Sequence, residues 1–240
     1  MLIRLFDREL TQQELTSVAA ELEIENLPLM DNPMEAPADD IAPVDAASVA
    51  ALAADIAHAP HCLHVMYQLV SVSLPMLSIF MDKEQAIVLS YHKSGVRASR
   101  MLNPQTLKGL LLEAFSGLPM ISSQNDAFAT VSGADNTADL VRRLYAGEND
   151  ALTIQPDAGF TLDEITAALR ENPCIRCVFA DGAENTSLYG ISDGEKLFCV
   201  LPAAQGVTVA CGSARSVIDA VSRGWMERCR AQIAWEMKNA

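Results

Sequence analysis

Asp82-Lys83-Glu84-Gln85-Ala86-Ile87-Val88-Leu89-Ser90-Tyr91-His92-Lys93-Ser94-Gly95-Val96 has a counterpart 111 residues on, in Asp193-Gly194-Glu195-Lys196-Leu197-Phe198-Cys199-Val200-Leu201-Pro202-Ala203-Ala204-Gln205-Gly206-Val207. Asp82 falls on Asp193, Leu89 on Val200, Gly95 on Gly206 and Val96 on Val207. In both copies an apolar run ends at a glycine and a second apolar run follows, the pattern of two strands joined by a turn. The register continues beyond them, with Leu107, Leu110 and Ala114 falling on Ile218, Val221 and Trp225. A gap-free match through strand, turn, strand and helix is more than composition supplies and marks an internal repeat.

Outward from this stretch, strand-like segments are expected at Leu63–Val70, Met76–Met81, Ala86–His92 and Val96–Leu102. They are expected again at Ile175–Ala180, Ser187–Ile191, Lys196–Leu201 and Val207–Cys211. A turn is placed at Ser73-Leu74-Pro75. Leu10-Thr11-Gln12-Gln13-Glu14-Leu15 reads as a helix start, with Thr11 and Glu14 as a capping box and Leu10 and Leu15 as a hydrophobic staple. Phe160-Thr161-Leu162-Asp163-Glu164-Ile165 repeats that signature 150 residues later, which implies that an Ala-rich helix capped by Asp45 and running to about His58 is inserted in the first half alone. Further helices are expected from Pro104 to Gly117, near Thr137–Ala146, and from Ala214 to the end of the sequence. The fold class is α+β: two pseudo-symmetric halves of antiparallel strands closed by helices. The first repeat is residues 1–119, with an acidic, Pro-rich linker at 28–44. Residues 120–150 connect it to the second, 151–240, which carries an extended C-terminal helix.

The 240 residues carry 31 acidic and 17 basic side chains, a formal charge of -14. A field of that sign repels phosphate backbones and anionic lipid, so nucleic acid and membrane surfaces are poor partners. Residues 56–81 lack Asp, Glu, Lys and Arg. Their histidines, prolines and serines would be unsatisfied in hydrocarbon, so no membrane insertion is expected. The opening Met1-Leu2-Ile3-Arg4 meets charge before a signal core develops, so the expected location is the cytoplasm. The six cysteines, mostly among apolar neighbours, are expected to be reduced, with Cys199 and Cys211 buried.

Two clusters carry ligand chemistry. His61, Cys62 and His64 offer imidazole and thiolate groups that suit zinc, and with His58 they are the densest such set in the sequence. Cys174-Ile175-Arg176-Cys177 has CxxC spacing, but Pro173 before it and an apolar run after it read as entry into a strand. Strand alternation sets those two thiols on opposite faces. No phosphate loop, nucleophile elbow, HExxH or calcium loop is present, so no catalytic residue and no cofactor is expected.

The order of capped helix, acidic spacer, four strands and helix, repeated with a closing helix, resembles the EspG family of type VII (ESX) secretion-associated chaperones. Leu10-Thr11…Glu14-Leu15…Leu22…Leu27-Pro28 is similar to the family's first helix and its exit, and Leu107…Leu110-Leu111…Leu118-Pro119 to its mid-chain helix. Asp193-Gly194-Glu195-Lys196-Leu197-Phe198 followed by Gly206-Val207-Thr208-Val209 resembles its late hairpin and Val-Thr-Val strand. The resemblance implies a quasi-twofold cytosolic protein that holds the tip of a helical-hairpin substrate before export.

The function expected is protein binding, with a protein client such as a small helical secreted protein as the partner and a homodimer as the other arrangement. The partner surface is placed on the C-terminal helix, at Trp225, Arg228, Ile233 and Trp235. The helix there runs on past the length of its first-half counterpart by about three turns. Trp and Arg are enriched among interface hot spots. The alternative is a metal- or thiol-dependent enzyme using His61, Cys62 and His64 or the Cys174/Cys177 pair. A ligand-sensing domain is a third class.

Overall fold

Side chains alternate across a strand, so a strand with apolar residues at successive positions belongs to a sheet covered on both sides. This chain builds such a sheet. The computed structural model describes residues 2–21, 44–59, 61–68, 72–82, 85–102, 106–115, 127–155, 157–181, 184–204, 206–212, 215, 218–219, 221–224 and 227. Its strands are β1 (Leu2–Arg4), β2 (His61–Gln68), β3 (Ser73–Asp82), β4 (Gln85–His92), β5 (Gly95–Met101), β6 (Ala127–Ser132), β7 (Thr153–Ile154), β8 (Cys174–Asp181), β9 (Glu184–Ser192), β10 (Leu197–Pro202) and β11 (Val207–Gly212). They form one sheet in the order β1-β5-β4-β3-β2-β8-β9-β10-β11-β6-β7, and every pairing is antiparallel. The helices are α1 (Gln12–Glu21), α2 (Ala46–Ala57), α3 (Thr106–Ala114), α4 (Thr137–Ala146) and α5 (Leu162–Glu171), with a 3-10 turn at Asn149–Ala151. Helical conformation resumes at Arg215 and is found in the described residues up to Glu227. The α+β class expected from the sequence is the class observed. Among the described residues no helix is long and apolar enough to cross a membrane.

The 111-residue spacing is written into the strand register. Phe80 lies opposite Ile87, and Ile191 opposite Phe198; Ala86 lies opposite Met101, and Leu197 opposite Gly212. Each second pair is the first moved on by 111. Gly95 and Gly206 both have positive φ (152° and 81°), and both are places where backbone approaches closely. A Cβ on Gly95 would lie 2.7 Å from Leu10 O, and one on Gly206 3.1 Å from Val131 O.

One face of the sheet carries a continuous apolar core across its centre. Leu63, Val65 and Ile79 meet Ile175, Cys177 and Phe179, and the core is closed by Leu107 and Leu111 of α3 with Ile218 and Val221 beyond β11. Each such aliphatic or aromatic side chain contributes about 1.5–3 kcal/mol by leaving water. The opposite face carries two separate cores. Leu15, Val18, Leu52 and Ile56 of α1 and α2 cover Phe80, Leu89 and Val96. Leu140, Leu144, Ile165 and Leu169 of α4 and α5 cover Ile191, Phe198 and Val209.

Helix starts are chemically specified. Thr161 Oγ1 accepts from Glu164 N while the Glu164 carboxylate accepts from Thr161 N, the expected capping box. Thr11 and Glu14 form the same box, and Glu14 also accepts from Arg8 and from Val44 N at 2.9 Å. Glu14 therefore ties the start of α1 to the start of α2, where Asp45 caps as expected.

Several expectations are corrected. Ser73-Leu74-Pro75 is not a turn: it lies inside β3, opposite Gln68, Tyr67 and Met66. A bulge at Val65/Met66 accompanies Pro75, which lacks the N–H of a regular ladder. The Ala-rich helix is not an insertion. α1 packs on α2 and α4 on α5, and α5 runs into β8 as α2 runs into β2, so α5 takes the place of α2. Capping boxes mark where a helix begins and carry no information about its place in the fold. The segment read as a connection, 120–150, contributes β6 and α4. β1, β6 and β7 were not expected, being only two to six residues long.

Candidate binding saddle

Among the described residues the two helix pairs pack mainly to either side of the sheet centre. α1 and α2 pack on β5 and β3, and α4 and α5 pack on β9 and β10. The central strands β2 and β8 run between them, pairing Val65 with Cys177 and Met66 with Arg176. On this face β2 presents Cys62, His64, Met66 and Gln68, and β8 presents Arg176, Val178 and Ala180, because each alternates with residues of the continuous core on the other side. The result is a saddle whose floor mixes polar side chains (His64, Gln68, Arg176) with apolar ones (Met66, Val178, Ala180).

In the first half, polar groups form a row across three strands. His64 and Ser78 are directly opposed, with His64 Nδ1 2.9 Å from Ser78 Oγ. Cys62 Sγ lies 3.1 Å from His64 Nε2, and Ser78 Oγ lies 3.2 Å from the Tyr91 hydroxyl. The His64 and Phe80 rings meet in a T-shaped arrangement with centroids 5.8 Å apart. Burial holds the His64 pKa down at about 4, so the ring is neutral near pH 7. The Tyr91 hydroxyl is pushed above its ordinary pKa, first by burial, with the Cys62 sulfur adding and Ser78 opposing. An imidazole held neutral to about pH 4 is a poor base, so the row is a weak device for abstracting a proton.

In the second half the floor is built around Arg176. Its Nε and Nη2 donate to Ser187 Oγ at 3.3 and 3.1 Å, and its guanidinium carbon lies 5.6 Å from the centre of the Tyr189 ring. Arg176 and Tyr189 are directly opposed on β8 and β9, as His64 and Ser78 are on β2 and β3. Thr137, the first residue of α4, donates to Ser187 O at 2.6 Å and fixes the helix start beside the guanidinium. A cleft of about 390 Å³ opens here, lined by Asp135, Thr137, Arg176, Asn185, Thr186 and Gly206 among others. At the other end of the floor, Gln68 Oε1 is buried with no donor among the described residues.

The sequence candidates divide on this frame. Cys62 and His64 come together, but His61 lies on the opposite face by alternation, so the trio does not converge. Among the described residues no group of three or more His, Cys, Asp or Glu is placed to hold a metal ion. Cys174 and Cys177 are both fully buried and belong to cores on opposite faces, as the strand reading required. Burial pushes the Cys174 thiol up to about 11, against smaller lowering by Tyr145 and Arg176, and pushes Cys177 up as well. Cys199 is buried as expected and raised by burial to about 12. Cys211 is only half-buried, because it opposes Ala127 near the end of β6. Trp225, Arg228, Ile233 and Trp235 lie outside the described residues.

Arg176, Ser78, Tyr91 and Ser187 were not singled out from the sequence. The usable signal was a lone polar residue inside an apolar strand: Ser78 within Met76-Leu77-Ser78-Ile79-Phe80, and Arg176 within Cys174-Ile175-Arg176-Cys177-Val178. No protein-family model matches the chain, and no curated protein matches it.

Proposed function

We propose that the chain is a protein-binding module of two corresponding halves, quasi-twofold in the manner of the EspG-like secretion-associated chaperones it resembles. In this reading it receives a helical segment of a client protein in the saddle between α1–α2 and α4–α5, in the cytoplasm. The observation that carries the reading is the contrast between the two faces at the sheet centre. One face is an apolar core closed by helices, whereas the other presents half-buried Met66, Gln68 and Arg176 between the α1–α2 and α4–α5 cores, which take in only Cys62 of β2 and Cys174 of β8 among the described residues. A floor of mixed polar and apolar side chains suits a protein surface, where contacts are mixed and hot spots are few. The shared 111-residue register supports the two corresponding halves.

The test is affinity capture from the native cytosol with the wild-type chain and with Met66→Arg. The reading expects a small helical protein retained by the wild type and reduced at least tenfold with the variant, both chains having the same melting temperature. Equal retention by a folded variant counts against the saddle. The 3.1 Å contact between Cys62 and His64 favours a second reading, thiol-dependent chemistry at Cys62. That reading expects Cys62 to outpace Cys211 in native alkylation by more than about tenfold, and loses its basis if the two react alike.

A further inference from the structure

We infer that the Arg176 cleft is a carboxylate-binding site that takes an aspartate or glutamate side chain of the bound protein. This inference deepens the saddle reading and rests on it.

The starting point is an unpaired charge in an acid-rich chain. Acidic residues outnumber basic ones 31 to 17. Among the described residues the other Lys and Arg side chains withdrawn from full exposure are ion-paired: Arg8 with Glu14, Arg97 with Glu9, Arg100 with Asp55, Arg143 with Asp139 and Lys196 with Glu164. Arg176 is withdrawn from solvent too, yet it has no carboxylate partner among the described residues. Placing a guanidinium against a strand floor costs desolvation that a neutral hydroxyl only partly offsets. A site that keeps such a charge unpaired is complete when an anion arrives.

The geometry fits a carboxylate. Ser187 Oγ takes Nε and Nη2 from one side, and the Tyr189 ring backs the guanidinium, so the fork is held in one orientation. Among the described residues the guanidinium meets only neutral groups, Ser187 and Tyr189. A planar fork held in place is suited to bidentate pairing with a carboxylate. Thr186 and Asn185 line the same cleft and can donate to the oxygens. Asp135 is on the rim and exposed, so it opposes the ligand weakly, through water. With a chain charge of -14 no long-range attraction draws an acid in, so affinity comes from contact and is little weakened by salt.

The test uses the full-length chain and two capped single residues, N-acetylglutamate N-methylamide and its glutamine counterpart, followed by NMR at the Arg176 Nε–H and the Asn185, Thr186 and Ser187 amides. The glutamate probe is expected to shift these signals saturably. The glutamine probe should move them less than about a tenth as far, and raising salt from 50 to 200 mM should change the affinity less than about twofold. Arg176→Gln abolishes the effect. Arg176→Lys keeps the charge should the neutral variant not fold, and weakens the probe about tenfold by losing the fork. Asp135→Asn strengthens it about two- to threefold. Equal shifts from both probes, or a response unchanged in Arg176→Lys, overturn the inference. Retention of a client by Met66-dependent capture alongside indifferent probes sinks the carboxylate site alone, whereas loss of both sinks the saddle reading with it.

Discussion

Lys108 Nζ on α3 lies 2.7 Å from Asp219 Oδ1 beyond β11, and these two positions are 111 residues apart. The interval is the one that carries β3–β4–β5 onto β9–β10–β11 in register. The pair therefore joins a position to its own counterpart, on the face where the continuous core is closed from both sides. Had both positions kept the same residue, like charges would face each other there.

Charge exchange tests this contact. The side chains are 60% and 42% exposed, so the pair is a surface ion pair worth about 0.2–1 kcal/mol. Lys108→Asp and Asp219→Lys are each expected to lower stability in urea unfolding by roughly that amount, and the double exchange to restore it. Additive losses in the double variant would show that the two positions do not interact.

Glu14 supplies a pH-dependent staple. Burial alone would raise its pKa, but the Arg8 hydrogen bond, the Thr11 and Val44 N–H donors and the Arg8 charge outweigh it and hold the carboxyl at about 2. A depressed carboxylate stabilises the folded state fully above its unfolded pKa and loses that contribution as pH falls through the folded value. Wild type should exceed Glu14→Gln by about 1–3 kcal/mol at pH 7, with the gap closing between pH 4.5 and 2. A gap that stays constant across that range contradicts the assignment.

His64 acts in a higher window. Its folded pKa of about 4 lies below the ordinary 6.5, so below 6.5 the unfolded chain binds the proton more readily. Stability is complete above that value and falls as the pH drops towards 4. His64→Gln should remove that slope, whatever its effect at pH 7. A stability curve with the same slope in the variant would place the titration elsewhere.

Thiol reactivity should follow depth. Cys177 and Cys199 lie in the continuous core with raised thiol pKa values, the Cys199 value about 12, so iodoacetamide at pH 8 should leave them unmodified while Cys211 reacts. Mass spectrometry of the digested protein reads the order directly. Labelling of Cys199 at the rate of Cys211 means that the core opens far more readily than its packing implies.

Long-range architecture was legible where apolar runs recur at fixed spacing. Leu89 with Val200 and Val96 with Val207 located strands whose register then proved common. Thr11–Glu14 and Thr161–Glu164 located helix starts, since capping depends only on neighbours in sequence. What could not be read was which helix pairs with which, because α1 on α2 and α4 on α5 are contacts between elements. The saddle was half legible. Cys62 and His64 share a face through strand alternation, but their extension to Ser78 and Tyr91 needs the β2–β3–β4 register. Arg176 was hidden inside a CxxC spacing that drew attention to the flanking cysteines.

The most direct test of the central claim, that the saddle is where a protein binds, is site-specific photo-crosslinking. Benzoylphenylalanine at Met66, on the saddle floor, is compared with the same residue at Leu112, which is 45% exposed on α3. In native cytosol the account predicts one discrete crosslinked protein from position 66 and none from position 112. Crosslinking to the same protein from position 112, with none from 66, would contradict it.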